Sequence, residues 1–375
     1  MYHVFGVLNN FEQQDGIMAN QKRNIKNRIT ELLGIEYPII LAAMAWVSNA
    51  NMVGAISKAG ALGVLGPNAG AKEVTQEAKE TGERLRDQIR QVRNITDRPF
   101  GVNFVVGTAG LDKAFAETCV EVGIEEQVPV AIVSQGSPLV YTDRLKKAGI
   151  KVIHVCATVK HARKAEQAGV DAIVASGTEG GGHSGFEQNT TFCLVPQIAD
   201  AVKIPVVAGG GVADGRQLIA ALALGAEAVY VGTRFIATLE CPAHERFKHA
   251  IVQSTDGDTV AIRHGRFGEA GTGYAGFTSE RRGSVRLLVH GHLRELLAQH
   301  NYLIDYDTLT KYCKPVHEHH GSSRTAASLI YGDCDVGFFF AGQGVGLIHE
   351  VISCEDVIHK IMREASVTQQ KIAKL

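Results

Sequence analysis

Residues 204–235 read "IPVVAGGGVADGRQLIAALALGAEAVYVGTRF". Two apolar, β-branched runs, "IPVVAGGG" (204–211) and "AVYVGTRF" (228–235), flank a segment whose apolar residues recur at helical spacing. The helix ends in a Leu-Gly step and the second strand starts at once. That is a strand–helix–strand unit of a parallel sheet. The runs are continuous rather than alternating, as strands covered on both faces are.

The same device recurs upstream in "KKAGIKV" and "EQAGVDA". Further strand-like runs are "PIILAAM" (38–44), "LGVLG" (62–66), "FGVNFVV" (100–106), "VAIVSQG" (130–136), "KVIHVCA" (151–157) and "AIVASG" (172–177). Eight parallel strands in about 200 residues, each followed by a helix, predict an α/β fold of the closed (β/α)8 TIM-barrel type. A doubly wound open sheet is the alternative topology. Residues 1–28 are polar and aperiodic and read as an N-terminal arm, with the barrel over 29–260. Residues 261–335 read as an inserted helical and Gly-rich lid segment after strand eight. Within it "VRLLVHGHLRELLAQHNYLIDYDTLTKYCK" (285–314) reads as helical. A decoration on the far face of the barrel is the competing reading of that insert. A Gly-rich turn and a closing amphipathic helix make up 336–375.

Composition narrows the function classes. The chain has 375 residues, of which 45% are hydrophobic and 21% charged, enough for a large core. The formal net charge of −1 and the lack of a long basic run leave no electrostatic footprint for nucleic acid. Seven scattered cysteines, none in a CxxC pair, fit reduced thiols rather than a disulfide frame. No signal pattern and no uncharged apolar span of membrane length is present. The expectation is a soluble, cytoplasmic protein without a membrane partner; a homodimer is the assembly left open.

The loops after barrel strands carry active sites, and those after the last two commonly hold phosphate. Here they are "AGGGVADG" and "VGTRF", whose glycines leave backbone N–H groups free for an anion, with Thr233 adding a hydroxyl. A tight turn without a ligand is the plainer reading of either loop alone. The stretch "SGTEGGGHSGF" (176–186) follows strand six and brings three glycines and His183 to the same face. A phosphate site at a barrel mouth suits flavin mononucleotide (FMN).

Taken together, "YPIILAAMAWVSNANMVGAISKAGALGVLG", "FGVNFVV", "GVDAIVASGTEGGGHSGF", the 204–235 stretch and "AGQGVGLI" resemble the nitronate monooxygenase family, formerly 2-nitropropane dioxygenases. That family shares its fold and motifs with the flavin-dependent enoyl-ACP reductase II enzymes. The resemblance implies FMN as cofactor. It places Asn103 at the flavin ring edge, Met44 against the isoalloxazine, and Gly181, Gly182, Gly210, Gly211, Gly232 and Thr233 on the phosphate. Tyr230 and Val231 count with these contacts, as does Ser176, which is shorter than the family's usual side chain. His183 matches the active-site histidine of the Gly-Gly-His motif.

A histidine in a loop is most often a packing or capping residue. Flanked by glycine beside a flavin, an imidazole can instead take an acidic proton or hold an anion. His154, within "KVIHVCA", reads as core packing, with the barrel mouth as the alternative. "HEHH" (317–320) reads as a solvated loop rather than a metal site, and no metal is expected. The leading expectation is an FMN-dependent nitronate monooxygenase, oxidising alkyl nitronates or nitroalkanes with O2 to a carbonyl compound and nitrite. The alternative is an NAD(P)H-dependent FMN reductase acting on an enoyl thioester or a quinone, and a non-catalytic flavin-binding module is the third.

Overall fold

The structure is a computed structural model that describes residues 25–375 apart from 74, 76, 108–109, 265–282, 303, 306–308, 310, 312–314, 317–322 and 334. Nine strands come first in the chain: β1 (Ile39–Leu41), β2 (Gly63–Leu65), β3 (Phe100–Val105), β4 (Val130–Ser134), β5 (Lys151–Cys156), β6 (Ala172–Ser176), β7 (Gly182–Ser184), β8 (Val206–Gly209) and β9 (Ala228–Val231). All but β7 join one parallel sheet in the order β1-β9-β8-β6-β5-β4-β3-β2. A parallel bridge between Ile40 and Leu62 brings its two ends together, so the sheet rolls into a barrel. The eight strands predicted from the sequence are these eight.

A first helix, α1 (Arg28–Leu33), precedes the barrel, and further helices follow or flank its strands: α2 (Ala50–Lys58), α3 (Ala78–Ile95), α4 (Gly110–Glu125), α5 (Thr142–Lys147), α6 (Val159–Gln167), α7 (Thr191–Ala201), α8 (Gly215–Ala223), α9 (Thr233–Ile236) and α10 (Glu245–Val252). Strand parity sorts the core into two layers. Ile40, Val64, Val130, Ile132, Ile153, Val174, Val207 and Ala228 fill the barrel interior, while Val102, Phe104, Val152 and Cys156 pack under the helices. Ile29, Leu33 and Ile35 belong to the interior cluster, so α1 and the residue pair after it plug the barrel's lower end. Asn27 starts that plug with a reciprocal capping box to Thr30. Residues 1–24, the bulk of the expected arm, lie outside the described residues.

The insert departs from its expected form. After β10 (Thr259–His264), residues 283–288 form β11 (Gly283–Leu288), so the stretch read as one long helix opens as a strand, and its helix α11 spans Gly291–Gln299. Every residue of β11 is buried, and β10 and β7 pair with it on opposite edges. With a ladder on each side, "GSVRLL" satisfies its backbone as a central strand, a long-range gain that helical spacing cannot foresee. Ile262, Val285, Leu287, Leu293, Leu296, Leu297 and Phe338 form a separate apolar cluster beneath this three-stranded sheet. The motif "HEHH" lies outside the described residues.

After α12 (Arg324–Leu329) the chain closes with α13 (Cys354–Ile372), capped by the Ser353 hydroxyl on the Asp356 N–H at 3.0 Å. This helix packs on α8, where a Cβ at Gly215 would run into Ile361 O and the Ala365 N–H. Among the described residues no helix is long and apolar enough to cross a membrane.

Candidate active site

One cavity opens at the C-terminal ends of the barrel strands. Its walls include Met44, Asn103, Ser176, Gly181, Gly182, His183, Gly210, Gly211, Tyr230, Gly232 and Thr233. Of the expected site residues only Val231 is not in that wall. It is fully buried in β9, and its carbonyl accepts the Ala42 N–H at 2.8 Å.

Parity explains why polar groups reach the cavity. Asn103, Ser176 and Tyr230 share the inward phase of Ile132, Val174 and Ala228; Ser176 and Tyr230 lie two residues beyond Val174 and Ala228 on their strands, and Asn103 sits level with Ile132 of the neighbouring strand. The Asn103 amide donates to Ile132 O at 2.9 Å and to the Ser134 hydroxyl at 3.1 Å. Its donors are therefore spent on β4, and what it offers a ligand is the carbonyl oxygen. The Tyr230 hydroxyl accepts the Ala43 N–H at 2.8 Å. Burial pushes the phenol up to about 12, against the opposing Ala43 N–H, so it stays protonated and keeps one hydrogen to donate. Met44 sits on a tight turn in which the Ser48 hydroxyl accepts its N–H at 3.0 Å, and Trp46 adopts a φ of 71°.

On the opposite wall, backbone takes over from side chains. The N–H groups of Gly181, Gly210, Gly211 and Gly232 have no hydrogen-bond partner among the described residues. Gly210 and Gly211 reach this geometry at φ of 108° and 78°, where a side chain would be strained. A Cβ at Gly210 would also stand 2.8 Å from Gly177 O. The Thr233 hydroxyl accepts the Gly342 N–H at 2.9 Å, which leaves its own hydrogen to donate. Unpaired backbone N–H groups lining one cavity are donors of the kind an anion can use.

Sequence reasoning assigned no role to two further elements, one in this wall and one behind it. The "AGQG" turn (341–344) closes the cradle from outside the barrel: Gln343 N–H donates to Glu179 O at 2.8 Å, and a Cβ at Gly344 would lie 2.5 Å from Gly211 O. Its paired glycines were the available signal. Arg286, 6% exposed on β11, donates to Thr178 O at 2.8 Å and ties the glycine loop to the insert. Burial lowers its pKa, partly offset by Glu179.

His183 lies on β7, outside the barrel sheet. It pairs with Val285 of β11, and the hydroxyls of Ser184 and Ser284 meet at 2.7 Å beside it. Phe340 packs against the imidazole with ring centroids 5.8 Å apart. Thr325, Leu329 and Phe340, all downstream of β9, complete the wall around it.

Among known proteins, the family profile described as nitronate monooxygenase matches residues 26–364. The chain belongs to the nitronate monooxygenase family. Its relatives in that family are oxidoreductases, and the chain is an enzyme of that class. A probable nitronate monooxygenase of Staphylococcus aureus is 36% identical over 64% of this chain and 75% of its own. A (3aS,4S,5R,7aS)-5-hydroxy-7a-methyl-1-oxo-octahydro-1H-indene-4-carboxyl-CoA dehydrogenase of Rhodococcus jostii is 32% identical over 91% of this chain and 96% of its own. Among solved structures, FabK from Thermotoga maritima superposes with a TM-score of 0.76 at 35% identity, covering 93% of this chain and 99% of that one. The nitroalkane oxidase of Streptomyces ansochromogenes gives 0.71 at 26% identity over 92% of this chain and 100% of its own.

His154 is outside this family site. It shares the outward phase of Val152 and Cys156 and is 3% exposed, so it packs beneath the helices. Burial, with His161 nearby, depresses its pKa to about 4. The folded protein holds it neutral, whereas the unfolded chain protonates it below about 6.5. Its contribution to stability is therefore complete above that pH and is lost as pH falls toward 4, by about 3 kcal/mol in all. Urea unfolding of the His154→Val variant should show a shallower loss of stability between about pH 7 and about pH 4.5 than the parent. Equal slopes would assign the acid sensitivity elsewhere.

Proposed function

We propose that the chain is an FMN-dependent oxidoreductase with His183 as its acid–base or anion-holding group. The observation that carries this reading is the meeting, in one cavity, of an unpaired backbone N–H cradle and a histidine braced by Phe340. The cradle of Gly181, Gly210, Gly211, Gly232 and Thr233 suits the FMN phosphate. Asn103 O, the Tyr230 hydroxyl and Met44 would meet the ring. FMN, when bound, supplies two-electron redox chemistry. The protein's residues hold and orient the substrate, and His183 takes the acidic proton beside a nitro group or holds the resulting nitronate. Within segment 261–335, β11 is read as part of a roof over this site, because it positions the strand of His183.

Nitronate oxidation with O2 is the first substrate reading, supported by the family profile and the S. aureus relative. A thioester reading has its own support: the R. jostii dehydrogenase and the T. maritima FabK match over nearly their full lengths. In that case His183 would hydrogen-bond a thioester carbonyl and NAD(P)H would be the electron donor. Anaerobic mixing with propionate 3-nitronate, NADH, NADPH or an enoyl-CoA separates the two. The first reading expects the nitronate alone to bleach the flavin absorbance. Bleaching by NAD(P)H only, reversed by the enoyl-CoA, would replace it with the second, and bleaching by none would contradict both.

A further inference from the structure

Gln135 follows β4 directly and lines the cavity, yet its side-chain amide makes no hydrogen bond to a described residue. Its polar neighbours on that wall each hold a bond within the protein: Asn103 donates to Ser134, and Tyr230 accepts from Ala43. Gln135 also has a left-handed backbone, with φ of 60°, and Gly136 follows at 58°. Glycine takes this conformation without strain and glutamine does not. The fold thus retains a strained, half-buried residue whose polar end has no task inside the protein. Strain of this kind gathers where a side chain is aimed at a ligand. Gln135 lies one residue beyond Ser134, past the C-terminal end of β4, and lines the same cavity. The same loop leads to Leu139, 64% exposed.

We propose that Gln135 is a substrate-contacting residue, whose amide N–H donates to an oxygen of the substrate's planar oxyanion or carbonyl head. This rests on the oxidoreductase reading above and deepens it. The bond supplies binding and orientation; proton transfer stays with His183. A hydrogen bond to a charged oxygen made in both ground and transition states shows itself mainly in KM.

The test compares Gln135→Leu and Gln135→Gly with the parent, each loaded with FMN. Nitrate, a planar oxyanion that is not turned over, is titrated against the flavin spectrum; FMN affinity and thermal unfolding are measured alongside. Both variants should keep the parent's FMN affinity, and both should bind nitrate roughly 10-fold or more weakly. Gln135→Gly should melt at the same temperature as the parent or higher, because it removes the backbone strain. KM for the substrate that bleaches the flavin should rise by a similar factor while kcat changes little. A yellow parent that binds no nitrate, or variants that bind it as the parent does, overturns the proposal. So does weakened FMN binding with unchanged nitrate affinity, which would put the amide on the cofactor. A colourless parent that takes up no FMN removes the oxidoreductase reading itself, an outcome distinct from the others.

Discussion

Replacing His183 with alanine should leave the protein yellow and lower its turnover of a neutral nitroalkane by about 10²-fold or more, the usual scale of general acid–base work. The flavin is expected to stay because the cradle is built from Gly181, Gly210, Gly211, Gly232 and Thr233, not from the imidazole. The strand should stay as well. Backbone pairing with Val285 and the contact of Ser184 with Ser284 do not use the histidine side chain. With a nitronate already lacking the acidic proton, the loss should be smaller, since only anion holding is removed. Steady-state kinetics on the two substrates reads both effects. Equal activity of variant and parent on both would reduce His183 to a packing partner of Phe340.

The second large effect is expected at Gly211. Its φ of 78° already disfavours any side chain, and a Cβ there would stand 3.0 Å from Glu179 Cβ. Gly211→Asp adds a carboxylate beside Glu179 and directly at the cradle. Repulsion of the phosphate and loss of the open N–H groups act in the same direction. FMN affinity should fall by at least about 10²-fold, equivalent to roughly 3 kcal/mol. Gly257→Ala is the matched control, because a Cβ there meets nothing within 4 Å. Fluorescence titration of the two variants with FMN should separate them completely. A Gly211→Asp protein that binds FMN like the parent would place the phosphate elsewhere.

These residues were legible in the sequence because barrel strands announce themselves locally. A continuous apolar run ending in glycine fixes both a strand and the loop at its C-terminal end, so Gly210, Gly211, Gly232 and Thr233 could be placed together before any contact was known. The inward phase of Asn103 and Tyr230 follows from period two along their strands. What stayed hidden depends on pairing between distant segments. Residues 182–184 read as loop, yet they form a strand because β11, some hundred residues later in the chain, lends its edge. "VRLLV" carries apolar spacing compatible with a helix, and only the two flanking ladders decide otherwise. Arg286 gains its role from the same pairing. Gln135 carries no motif; its unusual backbone and uncommitted amide are visible only in three dimensions. Gly342 and Gly344 were visible as a turn, but their approach to Glu179 and Gly211 crosses the chain by more than a hundred residues.

The central claim, that the cradle and the histidine share one FMN site, is tested most directly by titrating flavin-free protein with FMN under quenching of flavin fluorescence. The account predicts saturation at one FMN per chain, with the Gly211→Asp protein failing to saturate and the His183→Ala protein matching the parent. A parent protein that leaves the flavin fluorescence unchanged at every concentration would contradict it.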